Sequence, residues 1–243
     1  MEIIRNCRHY NSTQLAIKVD ENAAPVRVVK TAFNEEGAKS IKREYDGIRW
    51  YESQLQSIPR AVISFESYKN TFSRLELAYM TGCAGDLSLP FTENYRKIHN
   101  ALNHYIEIFR KDNGSFSHGD YSIENILFDG DAVSWILDWE NFNDKLPREF
   151  DVAYCVMETC YLYFKRKNAL NTNDIDSAVD LLKYGFKRIG MAHDQVIAAP
   201  ASYIRNLLLN NRAVFNSDIM KYPFMNCSAD DISALDAFFN RRQ

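Results

Sequence analysis

Apolar and polar positions alternate at the start of the chain, and a period near 3.6 residues takes over beyond residue 34. Thr13 to Val19 (TQLAIKV) and Val26 to Lys30 (VRVVK) are rich in β-forming residues and are separated by polar Asp20-Glu21-Asn22 and Pro25, which predicts two strands. From Asn34 to Leu55, Ile41, Tyr45, Ile48 and Tyr51 recur at three- and four-residue steps, predicting a helix with Asn34 as its N-cap. Phe72 to Tyr79 reads as another strand, running into Thr81-Gly82. Tyr95, Ile98, Leu102, Tyr105, Ile106 and Phe109 then form one face of a long helix expected to stop at Asn113-Gly114. Further helices are predicted over Arg148 to Lys165, Asp174 to Ile189, His193 to Asn211 with a break at Pro200, and Ala229 to Arg241.

One compact β signal interrupts the helical half: Ile126-Leu127-Phe128, Asp129-Gly130, then Ala132 to Leu137. Asp-Gly between two β-rich runs predicts a hairpin with Asp129-Gly130 at its turn. The fold class that follows is α+β and two-lobed. A small β-rich lobe with one helix (1–80) leads through a glycine-containing hinge near Tyr79 to Gly85 into a larger helical lobe (81–243) carrying the hairpin. There is no internal repeat.

Composition narrows the function classes. A chain of 243 residues with 46% hydrophobic and 25% charged residues has ample material for a core and is not disordered. Lys and Arg total 29 against 32 Asp and Glu, a formal charge of −3, which argues against a nucleic-acid partner. No apolar run reaches the length of a membrane span, and Met1 to Asn6 is too short and polar for a signal sequence. Five scattered cysteines without a C-x-x-C pair indicate neither a disulfide framework nor a thiolate zinc site. A cytoplasmic protein is expected, in which the sequons at Asn11, Asn113 and Asn226 have no role.

The candidate chemistry lies around the hairpin. His118-Gly119-Asp120-Tyr121-Ser122-Ile123-Glu124-Asn125 precedes it and Asp138-Trp139-Glu140 follows it, so pairing the strands brings Asn125 and Asp138 to its open end, with Asp120 in the loop leading in. Carboxylate and amide oxygens are hard ligands that suit Mg2+ and a phosphate-bearing substrate. The remaining carboxylate, Asp120, can orient a hydroxyl and accept its proton as it attacks phosphorus.

His118-Gly119-Asp120, Asn125 and Leu137-Asp138-Trp139-Glu140, with Pro147-Arg148-Glu149-Phe150-Asp151-Val152-Ala153 downstream, together resemble the aminoglycoside phosphotransferase and choline-kinase-like family. Its members are small-molecule kinases with the protein-kinase fold. The resemblance covers roughly residues 1–160 and is most specific between 116 and 153. It implies that Asp120 is the catalytic aspartate and that Asn125 and Asp138 hold magnesium. It also implies that Lys30 reaches the phosphates of ATP (or GTP), that Glu44 pairs with Lys30, and that Val28 lies against the base. Leu77-Ala78-Tyr79-Met80-Thr81-Gly82 resembles the hinge, where the Ala78 carbonyl and Met80 N–H would meet the adenine edge. The implied activity is transfer of the γ-phosphate to a hydroxyl of an amino sugar, sugar, choline-like or related metabolite.

Other readings stand beside these. Lys30 can be a solvated strand lysine, and Glu35, Glu36 and Glu52 lie on or beside the same helix as Glu44. His118 reads as structural, Asp151 as an acceptor for catalytic-loop N–H groups, and Trp139 as core. Glu140 is open between lining an acceptor pocket and supporting the metal. The stretch Cys7-Arg8-His9-Tyr10-Asn11-Ser12-Thr13, where the family usually has glycine over the phosphates, has none; Ser12 and Thr13 can offer hydroxyls instead. Asp144, Glu149 and Glu158 with Tyr154, Tyr161 and Tyr163 could form an acidic, aromatic pocket for a cationic acceptor, or simply pack and face solvent. A nucleotide-binding regulator without catalysis, or a kinase acting on a glycan or protein hydroxyl, are the alternative functions.

Overall fold

The computed structural model describes residues 2–5, 13–55, 60–110, 116–167, 170–191, 194–212 and 222–241. Ser12, His193 and the helix stop expected at Asn113-Gly114 lie outside the described residues. The chain forms two compact units, Met1–Thr81 with Asp138–Phe142, and Gly82–Leu137 with Asn143–Gln243.

The first unit is an antiparallel sheet carrying one helix. Strands β1 (Glu2–Arg5), β2 (Thr13–Val19), β3 (Pro25–Ala32), β4 (Val62–Tyr68) and β5 (Phe72–Ala78) are ordered β1-β2-β3-β5-β4. In register, Lys30 pairs with Leu15 on β2 and with Leu75 on β5. Successive side chains of a strand point to opposite faces. Accordingly Val28, Lys30 and Ala32 share one face, with Ala32 buried and the other two half-buried, while buried Val29 lies on the opposite face. Helix α1 (Glu35–Gln54) lies on the Lys30 side of the sheet, where Lys30 Nζ meets Glu44, and buries Ala38, Ile41, Ile48 and Tyr51. Its N-cap is Asn34, whose Oδ1 accepts from Gly37 N at 2.8 Å and so satisfies one of the open N–H groups of the first turn. Strand β4 is hidden from periodicity, as are the short β1 and the two-residue strand Cys83–Ala84. β4 is an edge strand with an irregular register between Val62 and Ser64, and its mostly exposed VISFESY has no clean alternation.

Asp138–Phe142 joins this unit through Trp139, which is fully buried, with ring centroids 5.1 Å from Tyr51 and 6.0 Å from Trp50. Gly47, in the middle of α1, makes the approach possible. A Cβ there would lie 2.8 Å from Trp139 Cβ and 2.9 Å from Phe142 Cβ.

The second unit is mainly helical: α2 (Phe91–Arg110), α3 (Arg148–Lys167), α4 (Thr172–Arg188), α5 (Asp194–Ala198), α6 (Pro200–Asn210) and α7 (Ala229–Asn240). Its core comes from apolar faces of α2, α3 and α4, including Ile98, Leu102, Val156, Leu181 and Leu182. The break at Pro200 is present, with proline opening α6 where its missing N–H has no cost. A three-stranded sheet orders β6 (Cys83–Ala84), β7 (Ile126–Asp129) and β8 (Ala132–Ile136). The hairpin exists, but its turn falls one residue later than expected. Asp129 pairs with Ala132, and the loop is Gly130-Asp131 with Gly130 at φ 60°. Glycine takes the left-handed first loop position without a Cβ penalty, so it sets the turn. No helix among the described residues is long and apolar enough to cross a membrane.

Candidate active site

In the second unit, the loop before β7 is held by buried acceptors. Asp151, fully buried in the first turn of α3, accepts His118 N at 2.7 Å through Oδ2 and Gly119 N at 2.9 Å through Oδ1. The Tyr105 hydroxyl, from α2, lies 2.9 Å from the same Oδ2. Burial pushes the Asp151 carboxyl up to about 7, opposed by Tyr105 and the loop N–H groups that favour its charge. His118 ties its ring to the backbone of this loop. Its Nδ1 accepts from Asp120 N at 3.2 Å, which leaves Nε2 to donate to Leu137 O at 2.9 Å. The Tyr222 hydroxyl donates to the Gly119 carbonyl.

These contacts shape the turn that presents Asp120 and Asn125. Asn125 Nδ2 donates to Asp120 Oδ2 at 3.1 Å and to the Asp120 carbonyl at 3.0 Å. Ser122 caps the single 3-10 turn over Ile123–Asn125. Leu137 N donates to Asn125 O at 2.7 Å, extending the β7–β8 pairing by one step toward this loop. Asp138 is the next residue in the chain and begins the segment that belongs to the first unit.

In the first unit, Lys30 stands at the centre of an acidic cluster. Its Nζ is 2.7 Å from Glu44 Oε1 and 3.2 Å from Asp138 Oδ1. The Lys30 side chain is 17% exposed and that of Glu44 4%. Burial alone would lower the lysine, but Glu44, Asp138 and Glu140 outweigh it and hold the ammonium charged well above its ordinary range. Burial raises the Glu44 carboxyl to about 7, with Asp138 and Glu140 adding to the rise and Lys30 opposing it. Glu140 Oε2 accepts from Ser40 Oγ at 3.0 Å, and its carbonyl accepts from Arg43 Nε at 2.7 Å. Asp138 itself is left-handed at φ 58°, ψ 56°, a conformation that Asp and Asn tolerate better than most side chains.

The structure distinguishes Glu44 from its neighbours. Glu35 is exposed and pairs with Lys39 at 2.6 Å, and Glu52 Oε1 accepts from the N–H groups of Ala61 and Val62. Val28 shares the Lys30 face of β3, opposite Ile17 and Leu77. Ala78 ends β5 with its N–H donating to Ala61 O at 2.8 Å, and Met80 follows, half-buried. Lys30, Glu44 and Asp138 are thus gathered in one unit, and Asp120 and Asn125 in the other.

Glu140 has its partners on α1, as given above. Tyr154 and Tyr161 of α3 are packed into the core. Tyr154 stacks on Phe150 and meets Tyr222 and Phe224 edge-on, and its hydroxyl donates to Glu158 Oε1 at 2.7 Å. Tyr161 packs on Phe224. Among the described residues no three His, Cys, Asp or Glu side chains converge as a metal cluster.

Sequence reasoning passes over Ser40, Arg43 and Gly47, which pack against Glu140 and Trp139 in the first unit, and over Tyr105 and Tyr222, which brace the loop of Asp120 in the second. Gly47 carries a readable signal, since a glycine inside a 20-residue helix costs about 1 kcal/mol and needs a packing reason. Tyr222 carries none, lying 103 residues from its partner Gly119.

No protein-family model and no curated sequence matches this chain. Solved structures do. The apo form of a thermostable mutant of aminoglycoside phosphotransferase APH(4)-Ia aligns over 98% of this chain and 93% of its own, at 10% identity and TM-score 0.50. The streptomycin–ATP complex of APH(2")-IIa covers 92% of each chain at 11% identity and TM-score 0.46. The chain therefore has a two-lobed, protein-kinase-like α+β fold of the kind found in aminoglycoside phosphotransferases.

Proposed function

We propose that this protein is a magnesium-dependent phosphotransferase that moves the γ-phosphoryl group of ATP (or GTP) to a hydroxyl of a small acceptor such as an amino sugar, sugar or choline-like metabolite. The observation that carries the reading is the Lys30 cluster. A lysine held 2.7 Å from a buried glutamate on the neighbouring helix and 3.2 Å from the aspartate of an Asp-Trp-Glu segment is arranged to present one remaining proton to phosphate. A solvated surface lysine has no such neighbours. The acidic excess of Glu44, Asp138 and Glu140 over Lys30 favours a divalent cation as well.

The donor set fits magnesium. Asp138 offers a carboxylate, and Asn125 has its Nδ2 engaged by Asp120, so its amide oxygen is the end for a cation. One carboxylate and one amide, completed by water and phosphate, is an ordinary complement for Mg2+. When bound, the ion would neutralise phosphate charge and hold the triphosphate in line. Residues 1–80, with Val28, Ser12, Ala78 and Met80, would bind the nucleotide, and residues 81–243 the acceptor.

Asp120 would orient the acceptor hydroxyl and take its proton while the new P–O bond forms and the bond to the departing diphosphate breaks. Because the transition state is loose, positioning and charge neutralisation do most of the work. The Asn125 amide, which donates to Asp120 Oδ2, fixes the rotamer of that base.

The test is transfer of labelled γ-phosphate from ATP and GTP to a panel of amino sugars, sugars, choline-like amines and proteins. Transfer to at least one hydroxyl acceptor, reduced roughly 10²–10⁴-fold in Asp120→Ala, is expected. Nucleotide binding without any transfer would replace the enzyme by a nucleotide-binding regulator.

A further inference from the structure

The second unit holds a cavity that the phosphotransfer reading leaves unused. It measures about 210 Å³ and is lined by Ile106, Phe109, Arg148, Arg188, Ile189 and Gly190. Its two cations are the notable feature. Among the described residues neither Arg148 nor Arg188 forms an ion pair. Each is fixed through one neutral acceptor: Arg148 Nη2 donates to Ile189 O at 3.0 Å, and Arg188 Nη1 to Tyr184 Oη at 3.0 Å. A guanidinium has five N–H donors, so both retain capacity for an anion. The Tyr184 ring, 5.6 Å from Arg188 Cζ, further restrains that side chain.

Capping of α4 does not account for both arginines. The chain closes that helix itself, with Gly190 N donating to Lys187 O, Met191 N to Phe186 O, and Gly190 left-handed at φ 76°. Only the Ile189 carbonyl calls on Arg148. The rest of the lining, Ile106, Phe109 and Ile189, is apolar. A cavity of roughly 150 Å³ accepts benzene, so this one has room for a ring and a small charged head, and far less than a nucleotide needs.

We propose that this cavity binds a small organic anion, a carboxylate or phosphate monoester, with its charge between Arg148 and Arg188 and a compact apolar body against Ile106, Phe109 and Ile189. Two guanidiniums recognise the planar or tetrahedral oxygens, and the apolar lining selects an organic anion over an inorganic one. The site adjoins the anchor of the catalytic loop, since the Tyr105 hydroxyl lies 3.0 Å from the Arg148 carbonyl as well as beside Asp151.

The experiment is calorimetric titration of the full-length protein with phenyl phosphate, benzoate and inorganic phosphate. Saturable binding of phenyl phosphate or benzoate is expected, with inorganic phosphate at least about tenfold weaker. Arg188→Ala, at an exposed position, and Arg148→Lys, which keeps charge but loses the fork, should each weaken binding by about tenfold or more. Lys30→Ala should leave it unchanged, which separates this site from the nucleotide site. No saturable binding, binding retained in both arginine variants, loss in Lys30→Ala, or inorganic phosphate matching phenyl phosphate would each overturn the proposal.

Discussion

Lys30 Nζ lies 2.7 Å from Glu44 Oε1, joining the third strand of the sheet to the helix that covers it. The pair is lopsided in charge, because Asp138 and Glu140 face the same ammonium. Removing the acid and removing the base should therefore differ. Glu44→Gln leaves Lys30 with Asp138 at 3.2 Å and should cost about 1–2 kcal/mol. Lys30→Met removes the ammonium that Glu44 and Asp138 share and should cost about 3–5 kcal/mol at pH 8. Urea denaturation at that pH reads both, and equal losses would contradict the cluster.

Glu158 gives a pH signature. It is buried, and its Oε1 accepts from the Tyr154 hydroxyl. Burial raises its carboxyl from 4.5 to about 7 despite the opposing hydroxyls of Ser122 and Tyr154. The folded state then keeps a proton that the unfolded chain releases, so this contribution to stability is full below 4.5, declines through 7 and stays lost above. Glu158→Gln should be near neutral at pH 5 and stabilising at pH 8, by at most about 3 kcal/mol. Denaturation midpoints at the two pH values check this; the same shift at both would contradict it.

Gly47 sets helix propensity against packing. Gly47→Ala gains about 1 kcal/mol in an ordinary helix interior. Here the new methyl would meet Trp139 Cβ at 2.8 Å and Phe142 Cβ at 2.9 Å, and overpacking of that kind costs about 1–3 kcal/mol. A net loss of stability is expected, with weaker nucleotide binding because both clashing residues belong to the Asp138–Phe142 segment. A net gain, read by chemical denaturation, would show that the segment yields freely.

Residues whose role depends on local spacing are legible in the sequence itself. Asn34 caps its helix, Pro200 opens one, and the 126–137 run forms a hairpin, because each signal is local. Glu44 can be picked from its helix only with help from the family pattern, since Glu35 and Glu52 look alike in sequence; burial and the position of Lys30 separate them. The turn is displaced by one residue because left-handed φ at Gly130 outweighs the usual Asp-Gly placement. Strand β4 escapes detection since an edge strand needs no apolar alternation. The acidic tyrosine-rich stretch of α3 looks like a pocket, yet Tyr154 and Tyr161 are core rings, a distinction that only tertiary packing makes.

Titration of ATP into the protein with and without magnesium tests the central reading most directly, using wild type, Asp138→Asn and Asp120→Ala. Asparagine keeps the left-handed backbone at 138 tolerable while removing the charge. Magnesium should tighten ATP binding to wild type and to Asp120→Ala, and should do so about tenfold less or more weakly still in Asp138→Asn. ATP binding indifferent to magnesium in wild type, or unaltered by Asp138→Asn, would contradict a metal-assisted phosphotransfer site.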